Sequence, residues 1–120
     1  MISPTGLGIR VDSEGDGHYG ASRGTRRHNG IDYICEPGQA IKAPFNMLIV
    51  RIAKPKAGSD LSGIEWQRGR STGKLFYFKP DKNLISKAVK EGDVIGYAQS
   101  VSEAYGLPGM IDHTHFSVDK

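Results

Sequence analysis

A single cysteine, Cys35, stands in the 120 residues, so no internal disulfide can staple this chain. Its place after Ile34 in an apolar run reads as a small buried side chain rather than a nucleophile. No apolar run approaches the ~20 residues of a membrane-spanning helix, so membrane insertion is not expected. Met1 to Arg10 has neither the charged start nor the apolar stretch of a secretory signal, so synthesis in the cytoplasm is expected. Charge of one sign is scarce as well: 16 Lys+Arg against 13 Asp+Glu leave +3. That mild excess suits an anionic surface or simply a solvated exterior. No motif interleaves aromatics with basic residues, so nucleic acid is not an expected partner. Gly20 and Gly24 lack the strand–glycine–helix setting of a phosphate loop. No internal repeat and no low-complexity segment is present.

Glycine and proline are plentiful, at 16 and 6 residues, and they divide the chain into short runs. Frequent turns favour short strands over long helices. The length suits one domain with one core. Residues 1–17 read as a polar, glycine-rich lead-in, and 18–120 as the single domain. Strands are expected at Gly30 to Cys35, Ala40 to Ala43, Met47 to Ile52, Ile64 to Gln67, Lys74 to Lys79, Val94 to Tyr97 and Ile111 to Val118. Met47 to Ile52 is the most apolar run and reads as a buried strand. Ser100 to Tyr105 reads as one short helix closed by Gly106, and Asn83 to Ala88 as a loop or single helical turn. The fold class is therefore all-β, mainly antiparallel, with one or two short helical turns.

Chemistry concentrates at the two ends. His28-Asn29-Gly30-Ile31-Asp32 supplies an imidazole and a carboxylate; His113-Thr114-His115 supplies two imidazoles. On a strand, residues two apart share a face, so His113 and His115 can aim into one site while Thr114 and Phe116 point away. Catalytic zinc takes three His, Asp or Glu ligands and leaves a fourth position open. The set is read as one zinc ion held by His28, Asp32 and His115, with His113 beside the open position. His18 reads as a surface residue. Arg23, Arg26 and Arg27 flank the site, to hold a carboxylate or to pin the loop.

The wording around these residues resembles the lysostaphin/LytM-type zinc metalloendopeptidases, which are peptidoglycan hydrolases. Tyr19 to Gly24, Arg27 to Asp32, Pro37-Gly38, Ala43-Pro44, Val89 to Gly96 and His113 to Phe116 carry the likeness, from about Tyr19 to Phe116. A closer local likeness is to the leukocyte cell-derived chemotaxin branch. It rests on His28 to Cys35, Ala43-Pro44-Phe45 and Phe76-Tyr77-Phe78-Lys79-Pro80. The resemblance implies a groove-bearing β domain with zinc on the groove floor and the loops Lys54 to Gly63 and Ala104 to Asp112 as walls. It implies His28, Asp32 and His115 as metal ligands and His113 as the group that acts on water or oxyanion. Its implied partner is the peptide of bacterial peptidoglycan, cut at the cell wall or periplasm after release; a monomer is expected, and the absent signal and stand-alone domain suit a phage endolysin or toxin effector. The alternative it implies is an inactive zinc-stabilised binding or signalling module. Active members carry Tyr-x-His where this chain has Tyr77-Phe78-Lys79. Lys79 is then expected beside the metal, on the face of Tyr77, as an oxyanion-holding cation. Tyr77 and Arg23 are expected substrate contacts.

Overall fold

The computed structural model describes residues 1–12, 15–17, 22–23, 26–27 and 30–119. The chain is all-β. In chain order the strands are β1 (Val11–Asp12), β2 (Gly15–Asp16), β3 (Ser22–Arg23), β4 (Arg26–Arg27), β5 (Gly30–Ile34), β6 (Ala40–Lys42) and β7 (Met47–Ile52). They continue with β8 (Gly63–Arg68), β9 (Ser71–Phe76), β10 (Phe78–Pro80), β11 (Ala88–Val89), β12 (Val94–Ala98) and β13 (His113–Val118). A 3-10 turn at Lys82–Leu84 and helix α1 (Val101–Tyr105) complete the list. Ser100 caps α1 by accepting from the Glu103 N–H.

Two sheets enclose the core. The larger has the order β11-β7-β8-β9-β13-β5, the smaller β10-β12-β6, and every pairing is antiparallel. Ile49, Ile64, Trp66, Leu75 and Phe116 from the larger sheet join Ile41, Phe78, Ile95 and Ala98 from the smaller in one buried cluster. At its centre the Trp66 and Phe116 rings stack at 5.6 Å, and Phe45 meets both edge-on at 5.0 and 5.9 Å. Truncating such a ring costs about 3–5 kcal/mol. Phe116 and the fully buried Thr114 fix the inward face of β13. His113 and His115 therefore project from the opposite face.

Two local readings, the burial of β7 and the strand Lys74 to Lys79, differ from expectation. β7 alternates rather than lying wholly buried: Ile49 is in the core while Leu48 and Ile52 stay exposed. One face of the larger sheet is left uncovered there, so an apolar run does not imply burial on both sides. Within the lead-in, residues 1–10 are tied to the domain by main-chain hydrogen bonds. Ile2 N–H donates to Pro44, Lys42 N–H to Pro4 and Ile34 N–H to Gly8, and Pro4 and Pro44 are fully buried. The expected strand Lys74 to Lys79 is broken at Tyr77, whose φ is 77°. A left-handed residue ends the alternation of faces. β9 stops at Phe76, and β10 begins at Phe78 in the other sheet. Among the described residues no helix is long and apolar enough to cross a membrane.

Candidate functional site

β5 and β13 bring the two ends of the chain together. His115 lies directly across from Asp32, and His113 across from Ile34. Directly opposed residues share a face and approach closely. Gly30 makes that approach possible: a Cβ there would lie 2.2 Å from the Phe116 carbonyl oxygen and 2.8 Å from the His115 ring.

Asp32 is the hub, at only 2% exposure. Its Oδ1 is 2.9 Å from His115 Nδ1. Its Oδ2 accepts from Arg10 Nε at 3.1 Å and stands 3.6 Å from His113 Nε2. His113 Nδ1 lies 2.8 Å from the Ile111 carbonyl oxygen. A carbonyl can only accept, so Nδ1 carries the proton and Nε2 presents a lone pair. Burial pushes the His113 pKa below its ordinary value, against the opposing pull of Asp32 and of the Ile111 carbonyl. At neutral pH the ring is uncharged, so a lone pair faces a carboxylate oxygen across 3.6 Å. Two acceptors so placed favour a proton or cation near them.

Above this hub runs a groove of about 710 Å³. Arg10, Asp32, His113 and His115 line its floor, Pro55 one wall, and Tyr105, Leu107 and Met110 the other. Pro55 comes from the expected loop Lys54 to Gly63, and Tyr105, Leu107 and Met110 from the expected loop Ala104 to Asp112. The Lys74–Asp119 ion pair is also part of the lining. Tyr77 sets its ring edge-on to His113 at 5.3 Å, with its hydroxyl 3.4 Å from that of Tyr105. Burial and the Tyr105 hydroxyl raise the Tyr77 pKa, so its O–H stays a hydrogen-bond donor. Phe76 stacks on the His115 ring at 6.2 Å. Lys56 Nζ sits 4.7 Å over the Tyr105 ring.

Of the residues singled out in the sequence, Asp32, His113, His115 and Tyr77 meet in this groove. His28 and His18 lie outside the described residues. Arg23 is placed in β3 only as backbone. Lys79 is exposed on β10 and is absent from the groove lining, because the left-handed Tyr77 carries the chain into the second sheet before it. Arg10 was missed; its one signal was the alternation Ile9-Arg10-Val11, which does not say which face is inward. Cys35 is buried and free, with its thiol pushed up to about 12, first by burial and then by Asp112. It is no nucleophile at neutral pH.

Among the described residues, no three His, Cys, Asp or Glu side chains are grouped so as to hold a metal by themselves. The donor chemistry nonetheless fits part of a zinc site. Ligands at 2.0–2.2 Å in a tetrahedron stand roughly 3.3 Å apart, and Asp32 Oδ1 and His115 Nδ1 are already 2.9 Å apart at the groove floor. They are the two described members of the expected ligand set, and His28, the expected third, lies outside the described residues.

No family model matches the chain. Leukocyte cell-derived chemotaxin-2 of Mus musculus is similar, at 34% identity over 106 residues, covering 87% of this chain and 68% of the relative. The same protein of Bos taurus is 31% identical over the same coverage. The solved structure from the identification and structural characterization of LytU aligns with a TM-score of 0.62 at 26% identity, over 92% of this chain and 72% of that one.

Proposed function

This chain belongs to the lysostaphin/LytM-type family, with likeness to leukocyte cell-derived chemotaxin-2, and from that premise we propose that it is a zinc-dependent endopeptidase. Its proposed substrate is the peptide cross-link of bacterial peptidoglycan, approached as by a phage endolysin or toxin effector. The observation that carries the reading is the convergence of His115 Nδ1 and His113 Nε2 on the two oxygens of one buried carboxylate, at the floor of an open groove. Asp32, His115 and His28 are the proposed ligands of one zinc ion. When bound, zinc polarises the scissile carbonyl and acidifies water.

The chain's own residues have separable tasks. His113 has its proton fixed on Nδ1 by the Ile111 carbonyl, so Nε2 is the atom that takes a proton from water and returns it to the leaving amine. The Tyr77 hydroxyl, beside Tyr105, donates to a substrate carbonyl or the developing oxyanion. Pro55, Tyr105, Leu107 and Met110 line the cleft and are the proposed apolar contacts of the substrate. Arg23 remains a proposed substrate contact. Lys79 has no part in this scheme, since it is exposed outside the groove lining.

A second reading is a zinc-stabilised binding or signalling module without hydrolysis. It is favoured by Lys79 standing where active relatives carry a second histidine, and by the likeness to chemotaxin-2. Incubation with purified peptidoglycan, with and without a chelator, separates the two. The endopeptidase releases new amine ends only when metal is present. Metal binding with no new amine ends leaves the binding module.

A further inference from the structure

Arg10 is a buried cation that the proposed chemistry does not use. Its side chain is 3% exposed, as is that of Asp32, and its Nε donates to Asp32 Oδ2 at 3.1 Å. The backbone joins the pair twice over. Arg10 N–H donates to the Asp32 carbonyl at 2.9 Å; Gly17 N–H donates to the Arg10 carbonyl at 2.7 Å, and Asp32 N–H to the Gly17 carbonyl at 2.8 Å. Gly17 has no room for a side chain: a Cβ would lie 2.7 Å from Asp32 Cβ and 3.0 Å from Arg10 Cγ. Three chain segments thus meet at the Arg10–Asp32 ion pair.

A buried carboxylate must be protonated, paired with a cation or bound to a metal. We propose that Arg10 is the positioning residue of Asp32: it holds Oδ2 as a standing counter-charge, turns Oδ1 toward His115 Nδ1, where the metal would be held, and keeps the site assembled when no metal is bound. The inference rests on the zinc reading for its metal half only. Its consequence for affinity is counter-intuitive. The guanidinium orients the carboxylate, but it also sets a positive charge close to where a doubly charged ion would bind. Losing one charge-assisted hydrogen bond weakens binding by about ten- to a hundredfold, whereas losing the repulsion of a doubly charged ion at contact range strengthens it by more, even at an effective dielectric of about 20. Repulsion wins. Removing Arg10 should weaken the metal-free fold and tighten zinc binding.

The test compares wild type, Arg10→Met and Arg10→Lys, each metal-free and with zinc. Thermal melts and zinc competition against a chromophoric chelator are the readouts. Arg10→Met is expected to melt well below wild type without metal, to recover most of the loss with zinc, and to bind zinc at least about tenfold more tightly. Arg10→Lys, which keeps the charge, should stay near wild type in both. Equal or weaker zinc binding by Arg10→Met, or an unchanged metal-free melt, overturns the proposal. So does an Arg10→Met that stays unfolded in zinc while Arg10→Lys also fails to fold. If no variant binds zinc, the zinc reading fails, and the metal-free double variant reads the counter-charge alone. Asp32→Asn should then restore the melt of Arg10→Met, and no restoration overturns the pairing role.

Discussion

His115→Ala is expected to abolish stoichiometric zinc binding and all hydrolysis, while His113→Ala keeps the metal and loses turnover by about 10²–10⁴. Both residues project from one face of β13, so sequence position alone does not separate them. Geometry does. His115 Nδ1 is hydrogen-bonded to Asp32 Oδ1 at 2.9 Å, so the two donor atoms already adjoin. His113 Nε2 is 3.6 Å from the other oxygen, and its ring is fixed by the Ile111 carbonyl rather than by the hub. Removing a ligand from a three-ligand site leaves two, too few for tight zinc. Removing a proton acceptor leaves the ligand set whole. Metal content by elemental analysis and amine release from peptidoglycan read the two effects separately. Equal loss of metal in both variants would make His113 a ligand and end the assignment.

Gly30→Ala is the second large effect. A methyl there meets the Phe116 carbonyl oxygen at 2.2 Å and the His115 ring at 2.8 Å. Neither neighbour can yield cheaply, because Phe116 is anchored by its stack on Trp66 and His115 by Asp32. Overpacking of this kind costs typically 1–3 kcal/mol and here should reach the upper end, a fall in Tm of roughly 10 °C. Relief requires β5 and β13 to separate, which parts Asp32 from His115. Zinc binding should therefore weaken together with stability. Gly92→Ala is the control: Gly92 has φ 89° with open space around it, so alanine there is strained without touching the site. It should lower Tm by about 1 kcal/mol equivalent and leave zinc affinity alone. Zinc binding by Gly30→Ala equal to that of the control would dissociate the strand pairing from the site.

Much of the site was legible because strand geometry is periodic. His113-Thr114-His115 needed only the two-residue repeat to place both imidazoles on one face, and Asp32 needed only the antiparallel partner strand. The family likeness, carried by His28 to Cys35 and His113 to Phe116, is matched by the relatives found and by the fold. The failures came where one residue breaks periodicity. Tyr77 carries no turn signature, so its left-handed backbone was invisible, and Lys79 was projected onto the wrong face. Met47 to Ile52 shows that apolar composition does not say how many faces of a sheet are covered. Arg10 shows the converse, since a charged residue between Ile9 and Val11 gives no sign that a carboxylate 22 residues later will bury it. Arg23 and His28 were chosen from the sequence, and their roles rest on it.

One zinc ion is proposed where β5 and β13 meet. The most direct measurement is elemental analysis of the purified protein after zinc loading and removal of loosely bound ion, paired with thermal melts before and after chelation. The account predicts about one zinc per chain and a melt that falls when the metal is stripped, since a ligand bound only to the folded state stabilises it by mass action. A chain that retains no zinc and melts at the same temperature with chelator would contradict it.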